Sequence, residues 1–390
     1  MHSLFFAVLS IFWVSGFLLF YIYFGYPLLL AIISSFVPKR QPKPGFTPTI
    51  SILIAAYNEE AGIARKLEQT LALDYPADKI EILVLSDSSS DRTDEVVLSF
   101  KDPRIRLLRV SPRLGKTNAQ NHGVPEAHGD ILVFSDATTI YHRQALRYLA
   151  CNYENPRVGA VSGRYQYFDV HDSTTGTSTV AFWNYENWIK TMQSRIRTIS
   201  GCCGCIYSVR RSVYTKLPHD IISDLVQPLW AIKKGFLVKF EDRALAYEET
   251  TKSAAEEFSM RVRVVTRGMR GVLSVADLLN PLAHPWIAFQ LTSHKVLRWL
   301  AGFFLLALFA SSAVLAAKSH YVYVFLLQAL FYGCALVSTV IHPRGRFKIL
   351  GIPLYFCTLN WAAIVSLKEI MIGRRYVTWE TVRSEGVQRT

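Results

Sequence analysis

Four aspartates in the middle of the chain are spaced so that their carboxylates could serve one reaction. Asp87 and Asp91 lie in LVLSDSSSDRTDE, Asp136 lies in LVFSDATT, and Asp224 lies in IISDLVQP. The first three follow short apolar stretches that are typical of strands. A carboxylate at such a strand end can bind a hard divalent cation or accept a proton from a hydroxyl. The spacing therefore indicates a site for metal-assisted or acid–base chemistry.

The usual glycine-rich phosphate loops do not occur in this sequence. Neither G-x-G-x-x-G nor a Walker-type loop is present. A single strand-end Asp can substitute for them, because Mg²⁺ or Mn²⁺ often uses one or two protein carboxylates together with diphosphate oxygens. Asp136 is the candidate for this role. The alternative is that Asp136 only stabilises its own turn, since Asp is frequent in turns.

The elements that must position these carboxylates alternate between short apolar strands and helical stretches. This alternation predicts an α/β sheet of mostly parallel strands, with ligands bound beyond the carboxyl ends of the strands. The segments AAYNEE, SDSSSD and SDATT should then converge on one crevice. The predicted strands are 49–55, 79–85, 105–110 and 131–134, and the predicted helices are 61–73, 93–100, 119–126, 182–197 and 255–270.

Long apolar segments bracket this central region. The 390 residues are 51% hydrophobic with a mean hydropathy of +0.20, which is typical of a membrane protein. The first uncharged segment exceeds the roughly 20 residues that a spanning helix needs, and each of the other three is about that long. The uncharged segments are 4–37, 299–317, 319–341 and 349–367.

Basic residues beside the first apolar segment predict the orientation of the chain. Lys39, Arg40 and Lys43 place the central region in the cytoplasm, because cytoplasmic flanks are rich in Lys and Arg. Three C-terminal crossings would put the arginines of the tail outside, which the same rule disfavours, so a re-entrant last segment is the alternative. The predicted parts are a transmembrane helix (1–38), a cytosolic domain (39–280), an interfacial helix (281–296), three C-terminal transmembrane helices (297–372) and a tail (373–390).

Charge and cysteine content narrow the possible partners. The net charge of +13 favours contact with anionic lipid headgroups, whereas no basic arm, zinc-finger spacing or aromatic RNA-binding motif indicates a nucleic acid. Cys202, Cys203 and Cys205 form GCCGC, but no further Cys or His stands nearby at the spacing of a metal site. We therefore interpret these cysteines as small packing residues.

Five motifs in register resemble family 2 glycosyltransferases. They are PTISILIAAYNEE, LVLSDSSSDRTDE, GKTNAQNHG, FSDATT and a late Asp before the membrane helices, and the resemblance extends over residues 48–300. The flanking helices are similar to those of membrane-embedded members such as the hyaluronan, chitin and cellulose synthases and Nod-factor chitooligosaccharide synthase. The resemblance implies a Rossmann-like domain of the GT-A type that binds a nucleotide sugar.

On the donor side, the resemblance implies roles for five residues. Ala55, Tyr57 and Glu59 would line the nucleotide pocket, Asp87 would hydrogen-bond the uridine, and Lys116 would approach the phosphates or the donor sugar. Glu59 has an alternative role as an acid at a helix N-terminus, which the helix dipole favours. Lys116 has the alternative of being a solvated surface side chain.

Two further motifs imply the metal site and the base, each with a departure. Asp136 matches the first acid of the Asp-x-Asp metal motif, but Thr138 stands at its third position. Asp224 matches the last acid of the Thr-Glu-Asp motif, with Ser223 before it, and is the implied general base. Mg²⁺ or Mn²⁺ remains expected because diphosphate oxygens and water can complete the shell. Helix capping is the alternative for Asp224, and it is the favoured role for Asp91.

The acceptor side departs further from the family pattern. RVRVVTRGMRG occupies the place of the Gln-x-x-Arg-Trp motif, with Arg267 and Arg270 at its polar positions as candidate diphosphate ligands and Gly271 where Trp would be. The arginines could instead contact lipid phosphates. Trp183 and Trp188 are candidates for stacking on acceptor sugars, although aromatics at helical spacing more often belong to a core or a membrane interface.

The function implied is that of an inverting hexosyltransferase of the plasma or inner membrane. It would transfer a sugar from a UDP-sugar to a polysaccharide or lipid-linked acceptor at the cytosolic face, in exopolysaccharide or cell-envelope glycan synthesis. Two alternatives stay open. One is single transfer to polyprenyl phosphate, and the other is an inactive nucleotide-binding scaffold subunit of a polysaccharide export complex. The sequence indicates no particular protein partner.

Overall fold

The structure is a computed structural model that describes residues 2–168, 174–249, 254–317, 320–341 and 351–378. The strands are β1 Ile50–Ala56, β2 Ile80–Asp87, β3 Ile105–Val110, β4 Ile131–Asp136, β5 Ile140–Tyr141, β6 Val158–Phe168, β7 Ile206–Arg210 and β8 Leu237–Glu249. The helices are α1 His2–Phe20, α2 Tyr26–Ser35, α3 Ile63–Leu71, α4 Thr93–Ser99, α5 Gly115–Gly123, α6 Ala145–Cys151, α7 Thr174–Ile196, α8 Ser223–Lys233, α9 Ala254–Leu273, α10 Pro285–Leu291, α11 Leu297–Leu315, α12 Tyr321–Ile341 and α13 Gly351–Met371.

The strands form one sheet in the order β3-β2-β1-β4-β7-β6-β8-β5. The first four of these are parallel to one another, whereas β7 is antiparallel to both of its neighbours. The predicted α/β class is confirmed, and the sheet is mixed: four of the seven pairings between described strands are parallel and three are antiparallel. The four predicted strands and the helices predicted at 61–73 and 93–100 lie close to the observed ones. The helix predicted at 119–126 instead begins at Gly115, because GKTNAQNHG has no amphipathic pattern to mark its start.

Both faces of β1, β2 and β4 are buried, which explains their apolar side chains, whereas β3 at the edge of the sheet is only partly buried. Alternate side chains of β1 point to opposite faces, so that Ile52 and Ile54 join one core cluster while Leu53 joins another. The first cluster is covered by α3, α4 and α6, and the second by α5 and α8. The sheet is therefore held rigidly between two layers of helices.

The strand register brings the predicted acids to one edge of this sheet. Ala55 in β1 pairs with Asp136 in β4, and Ala56 pairs with Ser86, which precedes Asp87 in β2. The carboxyl ends of three adjacent parallel strands therefore meet beside the loops that follow them. This edge is where ligands bind in open α/β sheets.

Three helices of the described residues are long and apolar enough to cross a membrane: His2–Ser35, Pro285–Leu315 and Tyr321–Ile341. The first continues through Pro27, because a π-helical turn over Tyr21–Gly25 precedes the proline that lacks an N–H. The helix from Pro285 likewise runs unbroken into α11 through a π-helical turn. The segment predicted as a separate interfacial helix, 281–296, thus forms the beginning of a long helix.

The last apolar segment forms α13, which is not among the three candidate spans and packs along α9. The Tyr355 hydroxyl donates to Glu257 Oε1 at 3.1 Å, and the Ser366 hydroxyl donates to the Val262 carbonyl at 3.1 Å. Beyond α13 the chain returns to the sheet, where Arg375 approaches Asp220 at 3.7 Å. Residues 374–378 therefore lie on the same side of the molecule as the α/β domain.

Candidate active site

Asp136 and Lys116 form an ion pair at the edge of the sheet where the parallel strands end. Lys116 lies in the first turn of α5, and its ammonium contacts Asp136 Oδ1 and donates to the Gly204 carbonyl at 2.9 Å. Burial opposes the charged form of Lys116, but the carboxylates of Asp136 and Asp224 hold its pKa above the ordinary value. A positive charge therefore already stands against the Asp136 carboxylate.

Asp224 begins α8 and faces the same loop. Its Oδ2 lies 3.0 Å from the position that a Cβ on Gly204 would occupy, so only glycine leaves the carboxylate this room. Burial raises the pKa of Asp224, and the positive charge of Lys116 partly offsets this shift. A carboxylate with a raised pKa is a better proton acceptor, which suits the predicted base.

Asp87 ends β2 and contacts the loop that precedes α5. It is buried, and its two oxygens accept the N–H groups of Leu114 (3.2 Å) and Gly115 (2.9 Å). Burial raises the pKa of Asp87, while these two hydrogen bonds act against the increase. In this arrangement Asp87 fixes the loop that carries Lys116, and its predicted contact with uridine stays a prediction.

The loop after β1 contains the other residues predicted for the nucleotide. Ala55 and Glu59 line the cavity described below, whereas the ring of Tyr57 lies 3.5 Å from the Arg113 guanidinium. The Glu59 N–H donates to the Thr93 hydroxyl at 2.7 Å, which joins this loop to α4.

Asp91 lies just before α4 and accepts backbone N–H groups, in agreement with a role at the start of this helix, although Arg92 occupies the N-cap position itself. Asp91 Oδ1 accepts the Thr93 N–H, and its Oδ2 accepts the Glu60 N–H, both at 3.0 Å.

The two arginines of α9 anchor chain segments. Arg267 is buried and donates to the Ile221 carbonyl at 2.8 Å and to the Thr117 hydroxyl at 3.1 Å. Burial lowers the pKa of Arg267 to about 10. Arg270 donates to the Arg374 carbonyl at 3.0 Å. Arg267 lines the cavity and Arg270 does not, so the structure brings only Arg267 to the candidate site.

The missing tryptophan of this motif has a steric reason. A Cβ on Gly271 would overlap the side chain of Val226 in α8 and press on Ile221. The close packing of α9 on α8 therefore leaves no space for a larger residue at this position.

The two predicted acceptor-side tryptophans have different environments. The Trp183 ring lines the cavity, with the rings of Tyr165 and Tyr167 at 5.0 and 5.9 Å. Trp188 is 47% exposed and does not line the cavity. The two tryptophans are five residues apart in α7, and side chains at that spacing point to different faces of a helix. The structure therefore does not bring both rings together.

Glu248 is a carboxylate of this site that the sequence analysis missed. Its Oε1 accepts the Thr138 hydroxyl at 3.0 Å, its Oε2 accepts the Thr139 hydroxyl at 3.4 Å, and the Tyr165 hydroxyl also donates to Oε2. Burial, together with the negative charge of Asp136, raises the pKa of Glu248. The only sequence signal was the pair of acids at the end of a strand, 110 residues from Thr138.

One cavity of about 1980 Å³ joins these groups and continues to the helices that are candidate membrane spans. At the end near these helices it is lined by a charged cluster of Glu186, Lys190, Lys295 and Arg298. Arg298 forms an ion pair with Glu186. Although burial opposes ionisation, the positive charge of Arg298 holds the pKa of Glu186 well below its usual range. Three positive charges therefore face one negative charge at this end.

The cysteines of GCCGC are buried in the wall of the site. Cys202, Cys203 and Cys205 carry free thiols, and the Lys190 ammonium lies 3.0 Å from the Cys203 sulfur. Across the described ranges no three His, Cys, Asp or Glu side chains gather as a metal-binding group. The packing interpretation of these cysteines agrees with their burial.

Residues 51–217 match the family described as Glycosyl transferase family 2. The chain carries a family 2 glycosyltransferase domain. In this domain the sheet forms one side of the cleft. It carries acids at the carboxyl ends of its parallel strands. The predicted enzyme class and GT-A architecture are thereby confirmed.

Three proteins illustrate the similarity of this glycosyltransferase to known chains. It is 27% identical to the probable glycosyltransferase YdaM of Bacillus subtilis (strain 168), over 67% of this chain and 65% of that protein. It is 23% identical to the poly-beta-1,6-N-acetyl-D-glucosamine synthase of Staphylococcus epidermidis, over 87% of this chain and 88% of that protein. In fold it is similar to the mannosyltransferase PcManGT from Pyrobaculum calidifontis, solved with GDP-Man and Mn²⁺, with a TM-score of 0.72 at 20% identity over 92% of this chain and 98% of that one.

The position of Gly115 leads to a first prediction. Its φ is +86°, and a Cβ there would overlap the carbonyl oxygen of Val377. We expect Gly115→Ala to displace residues 374–378 from the cleft, which limited proteolysis of the tail would detect as faster cleavage. Gly235→Ala is the matched control, because Gly235 has φ +87° with nothing within 4 Å. Equal cleavage rates in the two variants would contradict the packing of the tail on this loop.

Proposed function

We propose that this glycosyltransferase transfers a sugar from a UDP-sugar, with inversion, to a polysaccharide or lipid-linked acceptor at the cytoplasmic face of a membrane. The observation that carries the proposal is the single cavity that contains Asp136, Lys116 and Asp224 at one end and membrane-helix residues at the other. A donor bound at the sheet edge and an acceptor that enters from the membrane side would meet at Asp224.

In this proposal the proton and the leaving group are handled by different side chains. Asp224 accepts the proton of the acceptor hydroxyl as its oxygen attacks the anomeric carbon, because a neutral hydroxyl is a weak nucleophile. Attack opposite the departing diphosphate inverts that carbon. Lys116 contributes positive charge beside the leaving group, where negative charge develops.

The oxygen-rich edge also fits a divalent cation. Asp136 offers a carboxylate at a strand end, and the Lys116 ammonium held beside it supports the proposal that a positive ion binds there. The fold neighbour PcManGT was solved with Mn²⁺. We propose that Asp136 holds Mg²⁺ or Mn²⁺, which would supply Lewis-acid stabilisation of the diphosphate.

Consumption of a sugar nucleotide by the full-length protein tests the function. We would incubate detergent-purified protein and Mn²⁺ with a panel of UDP-sugars, led by UDP-N-acetylglucosamine because relatives are named for its polymer, and with GDP-mannose. Release of nucleoside diphosphate from one UDP-sugar, and not from the same protein carrying Asp224→Asn, is the expected result. Release from GDP-mannose alone would overturn the donor class, and release from no donor would favour the scaffold alternative.

A phosphate-bearing lipid is the second candidate acceptor, because the charged cluster has more positive than negative charge. Lys190, Lys295 and Arg298 lie where a lipid headgroup would enter from the membrane. Product analysis separates the candidates: a mono-glycosylated lipid from polyprenyl phosphate supports single transfer, whereas an oligosaccharide supports polymerisation. Lys295→Gln should raise the KM for polyprenyl phosphate only in the first case.

The membrane topology is part of the proposal. With three spans, namely His2–Ser35, Pro285–Leu315 and Tyr321–Ile341, the tail returns to the catalytic side, in agreement with its contacts to Asp220 and Gly115. In this proposal the chain lies in the plasma or inner membrane with its catalytic domain in the cytoplasm, an arrangement that satisfies the preference for basic cytoplasmic flanks. In this arrangement α13 does not cross.

Cysteine labelling with a membrane-impermeant maleimide tests this topology on the full chain. Ala317→Cys, between α11 and α12, should react in intact cells. Arg374→Cys in the tail and Lys101→Cys in the catalytic domain should react only after permeabilisation, since all three positions are exposed. Reaction of Arg374→Cys in intact cells would support three C-terminal crossings instead.

A further inference from the structure

We propose that Glu248 supplies a second carboxylate to the divalent cation at Asp136, in place of the acid that the third position of the Asp-x-Asp pattern lacks. This inference rests on the proposed function, because it concerns the cation that the sugar-nucleotide chemistry calls for. It assigns Glu248 as a binding residue and gives Thr138 the role of positioning it.

The strand pairing places Glu248 beside the turn that follows Asp136. β5 pairs with β8 so that Ile140 is opposite Tyr247 and Tyr141 is opposite Ala246. The same antiparallel register brings the next residue of β8 alongside Thr139. A residue distant in the sequence is therefore held by backbone pairing beside the turn that carries the third position of the motif.

The side-chain contacts agree with this register. The Thr138 hydroxyl, at the position where the family pattern has Asp, donates to Glu248 Oε1 at 3.0 Å. The Glu248 carboxylate therefore lies directly beside the side chain at this motif position. An acid that the motif lacks is thus present next to it, supplied by another strand.

The turn that follows Asp136, beside Glu248, is held in place by the buried side chain of Lys66. The buried Lys66 ammonium donates to the Ser135 hydroxyl at 2.7 Å and to the Thr139 carbonyl at 2.6 Å. Both sides of the Asp136 turn are therefore fixed. Preorganised oxygen ligands of this kind suit Mg²⁺ or Mn²⁺, which take one or two carboxylates together with phosphate oxygens.

Electrostatics explains why two carboxylates can remain close together without the cation. The Lys116 ammonium contacts Asp136, and hydroxyl groups of Thr138, Thr139 and Tyr165 donate to Glu248. A divalent ion bound between the two acids would take over the neutralising role of Lys116 and leave its ammonium available to the phosphates.

The test is the affinity for Mn²⁺ in the presence of UDP, measured by the electron paramagnetic resonance signal of free Mn²⁺ on the full-length protein. We expect Glu248→Gln to raise the Kd about 10–100-fold, the range found when groups that support metal sites are removed. Thr138→Asp added to Glu248→Gln should restore most of the affinity, because it returns a carboxylate to the motif position.

Glu256→Gln is the matched control, because Glu256 lines the same cavity but belongs to α9. It removes one negative charge without removing the proposed ligand, so its Kd should stay near that of the unmodified protein. Equal Mn²⁺ affinities of Glu248→Gln and Glu256→Gln would overturn the proposal, and so would a failure of Thr138→Asp to restore binding.

A second measurement uses the unmodified protein and so does not depend on how a variant folds. Fe²⁺ bound in place of Mn²⁺, with ascorbate and peroxide, cuts the backbone near its ligands. We expect cuts near both Asp136 and Glu248, whereas cuts near Asp136 alone would overturn the proposal. Both measurements are binding assays, so an absence of sugar transfer would refute the proposed function without deciding the role of Glu248.

Discussion

Asp224→Asn is expected to abolish sugar transfer and leave donor binding almost unchanged. A positioned general base contributes about 10²–10⁴-fold to rate, and an amide cannot accept the proton. Asparagine has nearly the same size, so the room that Gly204 leaves for this side chain remains suitable. Turnover and the Kd for UDP, measured on the same preparation, separate the two effects.

Asp277→Asn is the control for any general effect of losing one negative charge. Asp277 pairs with Lys233 at 2.9 Å, at the opposite end of α8 from Asp224, outside the cavity. Its variant should retain normal turnover. Turnover by Asp224→Asn within a few-fold of the Asp277→Asn variant would remove Asp224 from the role of base.

The pH profile gives a second readout of the same assignment. Asp224 must be ionised to act as base, and burial raises its pKa above that of an ordinary Asp. Activity should therefore decline with falling pH earlier than an exposed carboxylate would allow. Lys116→Met should move this acid limb to higher pH, because the positive charge of Lys116 lowers the pKa of Asp224.

Local sequence patterns were sufficient to predict the parallel half of the sheet. Three strands of this half, β1, β2 and β4, are mostly apolar, and Asp136 ends one of them. Once the strands are known to be parallel, their carboxyl ends must meet, so the position of Asp136 follows from topology. The role of Asp91 at the start of α4 follows in the same way from a short-range pattern.

The features that the sequence did not predict depend on contacts between residues that are far apart in the chain or on helix geometry. Glu248 reaches the site only because β8 pairs with β5, and no local pattern encodes that register. The packing of α13 on α9 depends on contacts such as Tyr355 with Glu257, which a search for apolar runs does not detect. Trp188 was grouped with Trp183 by residue type, whereas helix geometry directs the two rings to different surroundings.

Asp136→Asn is expected to remove the stimulation of turnover by Mn²⁺ and to weaken UDP binding in the presence of the metal. An amide oxygen carries no net charge, so it binds a hard cation far less strongly than a carboxylate. Loss of electrostatic stabilisation of the leaving group typically costs about 10²–10³-fold in turnover. UDP affinity without metal should change much less, because Lys116 is then released from its ion pair and can contact the phosphates.

Asp130→Asn at the other end of β4 is the control, since Asp130 accepts the Thr49 hydroxyl at 2.8 Å and lies outside the cavity. Equal Mn²⁺ stimulation in the Asp136→Asn and Asp130→Asn variants would show that the cation does not bind at Asp136.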